Sequence, residues 1–319
     1  SKEEGTGYGF STNGGASFTD LGGLPNARVA RNLLAGDPSV EGWQSGGHTY
    51  FYVSSLYPSV SGQPLNDIGL NACPVTGAGS AARLHCGQPI VAAASTQCGS
   101  SFGFFACGFL DKEYLSIDPA HGRLYVTYTE FGPTPSSSSF NGQIELAVCD
   151  IGTPSGRPGP AGGTAAAPVC KHGVTPSPST PTTRPYLTLA PGDPNCQNEG
   201  AYPGVNLSNG DVYTAYEFNQ ATNLFNPACF NTPTRNVMVR VPASCLVLST
   251  ISFCDRPTQT ASQRITSLDG AFIPGYNRFP ANDFPRIAVD PSAGTVSMVW
   301  NDAGVHPLGD ILLRSYALG

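Results

Sequence analysis

The chain has 319 residues, a net charge of −6 and only 12% charged residues, about half of the roughly 25% that is usual in globular proteins. No cluster of basic side chains is present to hold phosphates, which argues against nucleic acid as a partner. No apolar run approaches the roughly 20 residues that a membrane-spanning helix needs. The 40% share of apolar residues argues against a disordered chain.

The first predicted element is a hairpin at residues 8–23, formed by a strand, a Gly-rich turn and a second strand. It has the form of the last two strands of a longer unit that recurs further along the chain. Each copy of that unit has a short apolar strand, a turn rich in Gly, Asn, Asp or Ser, and a strand rich in β-prone residues. The four copies span residues 36–56, 111–131, 199–219 and 283–302.

A third strand is predicted after each copy, at residues 67–70, 143–148, 236–239 and 310–313. Self-similarity at a fixed period, here about 80 residues, is typical of repeat folds in which each unit buries its faces against its neighbours. The sequence therefore predicts an all-β fold, a β-propeller of four-stranded antiparallel blades, with four clear repeats and an N-terminal half blade. The single domain 1–319 divides into the half blade 1–34 and the blades 35–110, 111–195, 196–279 and 280–319.

Ten cysteines in this chain indicate an oxidising compartment, so the protein is predicted to be secreted or exposed at the cell surface. Zinc binding does not fit, because no C-x-x-C spacing occurs. Three pairs begin just after a third strand and end just before the next extended segment, which predicts a disulfide staple in each of three blades. The predicted bridges are Cys73–Cys86, Cys98–Cys107, Cys149–Cys170, Cys196–Cys229 and Cys245–Cys254.

Both ends of the chain read as incomplete blades. Unpaired edges of a sheet invite pairing, so residues 8–21 are expected to lie beside the strand 310–316, within one molecule or between neighbours. Self-association through the terminal strands is a partner prediction that follows from this. Separately, Asn206 begins the one N-glycosylation sequon, Asn206-Leu207-Ser208.

The segment Ser11-Thr12-Asn13-Gly14-Gly15-Ala16-Ser17-Phe18 resembles the Asp box, S-x-D-x-G-x-[ST]-[WF], of sialidase-like (BNR-repeat) β-propellers. The copies at 111–131 and 283–302 also look like strand pairs of bacterial sialidase-like proteins, so the resemblance covers nearly the whole chain. It implies a turn whose polar side chains bond to the hairpin backbone while the aromatic packs inward. It also implies a catalytic arginine in an R-I-P motif, for which Pro285-Arg286-Ile287 offers Arg286 as the candidate.

The repeat alignment places three acids at one position, just before the first strand of a blade: Asp111, Glu199 and Asp283, with Asp37 one residue out of register. First strands line the axis of a propeller, so these carboxylates are expected to converge. They would bind a hard cation such as Ca²⁺, or supply an acid/base pair for glycoside cleavage. The structural alternative is that each acid caps its own strand or pairs with Lys112, Arg278 or Arg286.

A second set lies at the ends of the second strands. Glu130, Glu217 and Asp302, together with Trp300, are predicted to form an aromatic and acidic surface that binds sugar. The alternative is ordinary packing between blades.

These patterns lead to one principal function and one alternative. The principal prediction is a secreted, non-catalytic binding or structural module, at the cell surface or in an extracellular assembly, whose partner is a glycan or a neighbouring surface protein. The alternative is a sialidase-like glycoside hydrolase acting on extracellular glycans. Ca²⁺ is the one cofactor considered.

Overall fold

The computed structural model describes residues 6–26, 36–58, 66–94, 109–133, 140–153, 156–171, 186–190, 197–220, 234–246, 257–266, 284–307 and 309–319. These residues form strands and two short 3-10 helices, Gly79–Ala81 and Ala243–Cys245. None of their helices is long and apolar enough to cross a membrane. The all-β prediction is confirmed.

The strands, in chain order, are β1 (Gly7–Phe10), β2 (Thr19–Gly23), β3 (Ser39–Ser45), β4 (His48–Pro58), β5 (Asn66–Thr76), β6 (Arg83–Leu84), β7 (Ile90–Ala94), β8 (Phe109–Asp118), β9 (Arg123–Pro133), β10 (Phe140–Asp150), β11 (Val169–Lys171), β12 (Tyr186–Ala190), β13 (Gln197–Val205), β14 (Val212–Gln220), β15 (Arg235–Val241), β16 (Thr258–Arg264), β17 (Arg286–Asp290), β18 (Thr295–Asp302) and β19 (Asp310–Ala317).

The strands pair antiparallel in a two-stranded hairpin, β1–β2, and four larger sheets. Sheet I has the order β3-β4-β5-β6, with β7 also on β5, and sheet II has the order β8-β9-β10-β11, with β12 also on β10. Sheet III is β13-β14-β15-β16, and sheet IV is β17-β18-β19. Each predicted third strand is present, as part of β5, β10, β15 and β19.

Alternation of buried and exposed side chains explains why these segments form strands. In β18 the residues Val296, Met298 and Trp300 are buried, whereas Ser297 and Val299 between them are only half-buried. Successive side chains of a strand point to opposite faces, so this period of two places one face against a neighbouring sheet.

Apolar cores lie between successive sheets. Tyr52 and Leu115 belong to the core between sheets I and II, Leu146 and Val212 to the core between II and III, and the Met238 core joins III to IV. The first strands β3, β8, β13 and β17 also touch in succession. This is the arrangement of successive propeller blades, while the blade number and the domain boundaries stay predictions.

The N-terminal hairpin is placed differently from the expectation. It packs on sheet I, where the rings of Phe10 and Phe51 meet edge to face at 6.3 Å, and Thr6 and Ser55 share a side-chain hydrogen bond. Among the described residues β1 pairs only with β2, and β19 only with β18. Within one molecule the expected pairing of residues 8–21 with 310–316 is therefore not found in the described residues, because the half-buried Tyr8 and Phe10 of the hairpin pack on sheet I instead. Pairing between neighbouring molecules stays a prediction.

The turn of this hairpin is held by its own polar side chains. The Ser11 Oγ accepts the Gly15 N–H at 2.9 Å, and the Asn13 Oδ1 accepts the Ser17 N–H at 3.0 Å. Phe18, however, is 69% exposed. The expectation that this aromatic packs inward is wrong, since β2 presents its side chains to solvent along its whole length.

Two of the predicted disulfides are confirmed, Cys73–Cys86 and Cys149–Cys170. Each joins a third strand to the segment that follows it within one sheet, as the stapling argument requires. Cys245 is also disulfide-bonded. Its predicted partner, Cys254, lies outside the described residues. The same holds for the remaining cysteines, Cys98, Cys107, Cys196 and Cys229.

Candidate functional site

The first strands of sheets I, II and III have an unusual backbone close to where they begin. Register shifts interrupt the pairing of β8 with β9 and of β13 with β14 close to where these first strands begin. Asp37, Lys112 and Gly200, which occupy the same position relative to the first strands of sheets I, II and III, have φ values of 46°, 55° and 71°. Bulges of this kind bend a strand and redirect its side chains, and they are common beside functional sites.

The two ends of the sheets differ in their connections. At the end where the first strands finish, a turn joins the first strand of each sheet to the second, at residues 46–47, 119–122, 206–211 and 291–294. The second strands finish, and the third strands begin, at the opposite end, where the first strands begin. The longest connection between a second and a third strand covers residues 221–234. Connecting segments carry recognition and catalysis more often than the strands they join. The entry end is therefore the candidate functional face.

At this end, the carboxylates of Asp37 and Asp111, from two neighbouring sheets, meet at one ammonium group. The Lys112 Nζ lies 2.8 Å from the Asp37 Oδ2 and 3.6 Å from the Asp111 Oδ2. Glu199, which is only 9% exposed, is close enough to raise the pKa of this lysine. We call Asp37, Asp111, Lys112 and Glu199 the axial cluster.

The axial cluster is half-buried, and this changes the proton affinities of its members. Burial raises the pKa of Asp111 above its ordinary value, although the charge of Lys112 and the backbone N–H of that residue oppose the shift. For Lys112, burial lowers the pKa, but Asp111, Asp37 and Glu199 more than offset this, so the pKa of the lysine is raised overall. The lysine therefore stays charged beside an acid that holds its proton more tightly than usual.

Glu113, next in the chain, is 1% exposed, and its carboxyl oxygens accept no hydrogen bond from another of the described residues. Burial raises its pKa well above the usual value. It follows that Glu113 is neutral over much of the pH range in which exposed glutamates are charged.

The side chain of Arg286, in sheet IV, contacts residues of sheets II and III. Its guanidinium carbon lies 4.4 Å from the centre of the Tyr114 ring and 5.0 Å from that of Tyr202, and its Nη2 donates to the Tyr114 hydroxyl at 2.6 Å. Its Nη1 donates to the carbonyl oxygens of Phe284 and Pro285. Arg286 thus ties three first strands together and has few donors left for a ligand.

Lys112 links Asp111 to Asp37, and Glu199 acts on the pKa of that lysine. The predicted convergence of the acids at the repeat position stays a prediction. Asp283 lies outside the described residues. The predicted Ca²⁺ site stays a prediction without support, because no group of three His, Cys, Asp or Glu in the described residues is placed to hold a metal ion. The position between the carboxylates of Asp37 and Asp111 is taken by the ammonium of Lys112, which the structural alternative had offered as an ion-pair partner of these acids.

The second predicted set is buried. Glu130 and Glu217 are 0% exposed, Trp300 belongs to the core between sheets III and IV, and Asp302 accepts the Gly304 N–H and the Trp300 Nε1–H. Trp300 packs between the sheets, as the packing alternative expected for the aromatics, and sugar binding by this set stays a prediction that the structure does not support.

Asn206 is 4% exposed, and its Oδ1 accepts hydrogen bonds from the N–H and hydroxyl of Ser208. This is the side chain of a closed turn, and its burial argues against the predicted glycan.

Comparisons with known proteins add little to this geometry. No known family and no curated protein matches the sequence. Among solved structures, the chain is similar to an α-L-arabinanase of Penicillium chrysogenum complexed with arabinobiose, with 8% identity and a TM-score of 0.42, over 98% of this chain and 84% of that one.

It is also similar to an N-acetylgalactosamine deacetylase from F. plautii in complex with blood group B trisaccharide, with 9% identity and a TM-score of 0.40, over 88% of this chain. The match spans 66% of that enzyme's length, just under two thirds. With such low scores, neither likeness carries an argument about what this chain does.

Proposed function

We propose that the protein is a secreted or cell-surface β-propeller that hydrolyses a glycosidic bond at the axial cluster. The observation that carries the proposal is the pair Asp37 and Asp111, two carboxyl groups on one ammonium, one of which has a raised pKa. Glycoside cleavage requires two carboxyl groups close together, one of which holds a proton that it can donate.

The roles follow from the surroundings of each acid. Asp111, whose pKa burial raises, is the group that would donate a proton to the leaving oxygen. Asp37, paired with Lys112, would take a proton from water or attack the sugar directly. Their Oδ2 atoms, at 2.8 and 3.6 Å from one nitrogen, are no more than about 6.4 Å apart, which overlaps the roughly 5–9.5 Å that separates such carboxyl groups in glycosidases.

The same contacts favour a neutral sugar over an acidic one. Lys112 is engaged by Asp37 and Asp111, and Arg286 is covered by two tyrosine rings. Neither cation is available for a substrate carboxylate. The proposed substrate is therefore an uncharged extracellular glycan, which differs from what the sialidase resemblance implied.

The extracellular location rests on the disulfides, since bridges such as Cys73–Cys86 and Cys149–Cys170 persist in oxidising compartments.

A panel of neutral and acidic aryl glycosides and polysaccharides tests the activity. Asp37→Asn and Asp111→Asn should each lower kcat/KM by about 10²–10⁴-fold, the usual contribution of a general acid or base. The matched control is Asp290→Asn, an exposed turn residue whose removal should leave turnover unchanged. Wild-type protein that turns over no glycan contradicts the proposal.

The second candidate is a non-catalytic glycan-binding module. It is favoured by the ion pairs of Lys112, which occupy both carboxylates in the structure. Binding of a glycan by calorimetry, unchanged in Asp111→Asn and without turnover in the wild type, would support it. A neighbouring surface protein as partner and self-association remain proposals with no contact in the structure behind them.

A further inference from the structure

We propose that Lys112 is a positioning residue, whose ammonium group fixes the carboxylates of Asp37 and Asp111 relative to each other. The catalytic consequence rests on the proposed function, whereas the positioning itself can be tested without any activity.

The backbone is the first argument. Lys112 has a φ of 55°, in the left-handed region where a side chain clashes with its own carbonyl and glycine is favoured. Sheet III has Gly200 at the equivalent position, with a φ of 71°. A lysine gains nothing from this conformation, so the reason for it lies in what its side chain does. Strained residues of this kind cluster at functional sites.

The side chain is the second argument. The Lys112 Nζ lies 2.8 Å from Asp37 of sheet I and 3.6 Å from Asp111 of sheet II, and it is influenced by Glu199 of sheet III. An ammonium group is a compact point charge with three donors, so it can hold acids that approach from different directions. One lysine thus links the carboxylates of two neighbouring sheets and is influenced by the charge of an acid in a third.

Lys112 is not suited to proton transfer itself. The surrounding acids raise its pKa, whereas a general acid or base works best with a pKa near the operating pH. Its effect on a reaction would pass through Asp37 and Asp111, by keeping their oxygens in place and by opposing protonation of Asp111.

Three variants separate the ammonium from the backbone. Lys112→Met removes the charge and keeps the length, Lys112→Gly removes the charge and relieves the left-handed backbone, and Lys112→Arg keeps a charge. We expect both uncharged variants to lose about 10²-fold in kcat with KM nearly unchanged, because misplaced groups cost about that much. Lys112→Arg should recover part of the loss. The control Arg157→Met removes an exposed positive charge elsewhere.

The readout that needs no substrate is carbon NMR of the aspartate carboxyl groups, with the Asp111 signal assigned by its loss in Asp111→Asn. Lys112 is the largest influence that lowers the pKa of Asp111, so Lys112→Met and Lys112→Gly should move its titration to higher pH. Arg157→Met should not.

The outcomes distinguish the two proposals. Wild-type protein without turnover but with the expected change in the Asp111 titration overturns the proposed function and supports the positioning role. An Asp111 titration unchanged by Lys112→Met, or full kcat in Lys112→Gly, overturns the positioning role.

Discussion

Asp37 and Lys112 occupy the same position in two successive sheets, share the left-handed backbone conformation, and form a 2.8 Å ion pair across the interface between those sheets. A repeated backbone position thus carries opposite charges in neighbouring repeats. The repeat places the two residues side by side, and the chemistry of the site arises from the difference between the copies.

Replacing Glu113 by Gln should raise the free energy of unfolding relative to the wild type, and this gain should grow as the pH rises. The folded pKa of this glutamate is raised well above the unfolded value, so the unfolded chain loses its proton first and the wild type loses stability as the pH rises above about 4. Glu113→Gln removes that loss, which amounts to about 1.4 kcal/mol for each pH unit between the two pKa values. Urea unfolding at pH 4 and pH 8 measures it.

The control is Asp290→Asn, because the Asp290 carboxyl is exposed and its pKa is lowered. The effect of this substitution on the free energy of unfolding should be the same at pH 6 and at pH 8. A Glu113→Gln variant that is less stable than the wild type at pH 8 would contradict the assignment of a neutral, buried Glu113.

Gly200→Ala should destabilise the contact between sheets III and IV. A Cβ atom at Gly200 would collide with the Phe284 ring, and its φ of 71° disfavours any side chain. Gly294→Ala is the matched control, since φ is 66° there but no atom lies within 4 Å of the added carbon. The control should cost about 1 kcal/mol from backbone strain alone and Gly200→Ala about 1–3 kcal/mol more. Equal losses in thermal unfolding would show that Phe284 moves aside freely.

Arg286→Met should loosen sheet IV. The substitution removes the stacking on Tyr114 and Tyr202 and the hydrogen bond to the Tyr114 hydroxyl, which together contribute about 1–3 kcal/mol. Arg314→Met is the control, because that arginine is itself exposed and its guanidinium carbon lies 5.6 Å from the centre of the half-buried Tyr316 ring, so the substitution should cost well under 1 kcal/mol. The comparison is made by denaturant unfolding, and equal effects would rule out a special role for Arg286.

Removing a disulfide should cost about 3 kcal/mol, because each bridge restricts the unfolded chain. The bridges Cys73–Cys86 and Cys149–Cys170 close 13 and 21 residues, so paired replacement by alanine should have similar effects at the two sites. Thermal unfolding of the two double variants checks this. Peptide mapping without reduction tests the predicted partner of Cys245, and a bridge between two sheets would contradict the stapling argument.

The repeat alone was enough to predict the all-β fold, the third strands and two disulfides, because the same order of strands recurs in each copy. Lys112 was expected as an ion-pair partner of a neighbouring acid, but its contact with Asp37 of the next sheet was not, since the alternating pattern does not indicate the register shift at this position. The burial of Glu130 and Glu217 was also missed. A strand pattern indicates that two faces exist, but it does not say that a neighbouring sheet covers both of them.

The apolar cores between successive sheets determine the order in which parts of the molecule unfold. In the described residues, sheets II and III each have a core on both sides, whereas sheet IV shares a core with sheet III alone. In stacked repeats, stability is close to a sum over nearest-neighbour contacts. Backbone amides of β18 and β19 should therefore exchange with deuterium through partial unfolding that leaves the amides of β9 and β14 protected. Unfolding would then begin at sheet IV and reach sheets III and II later.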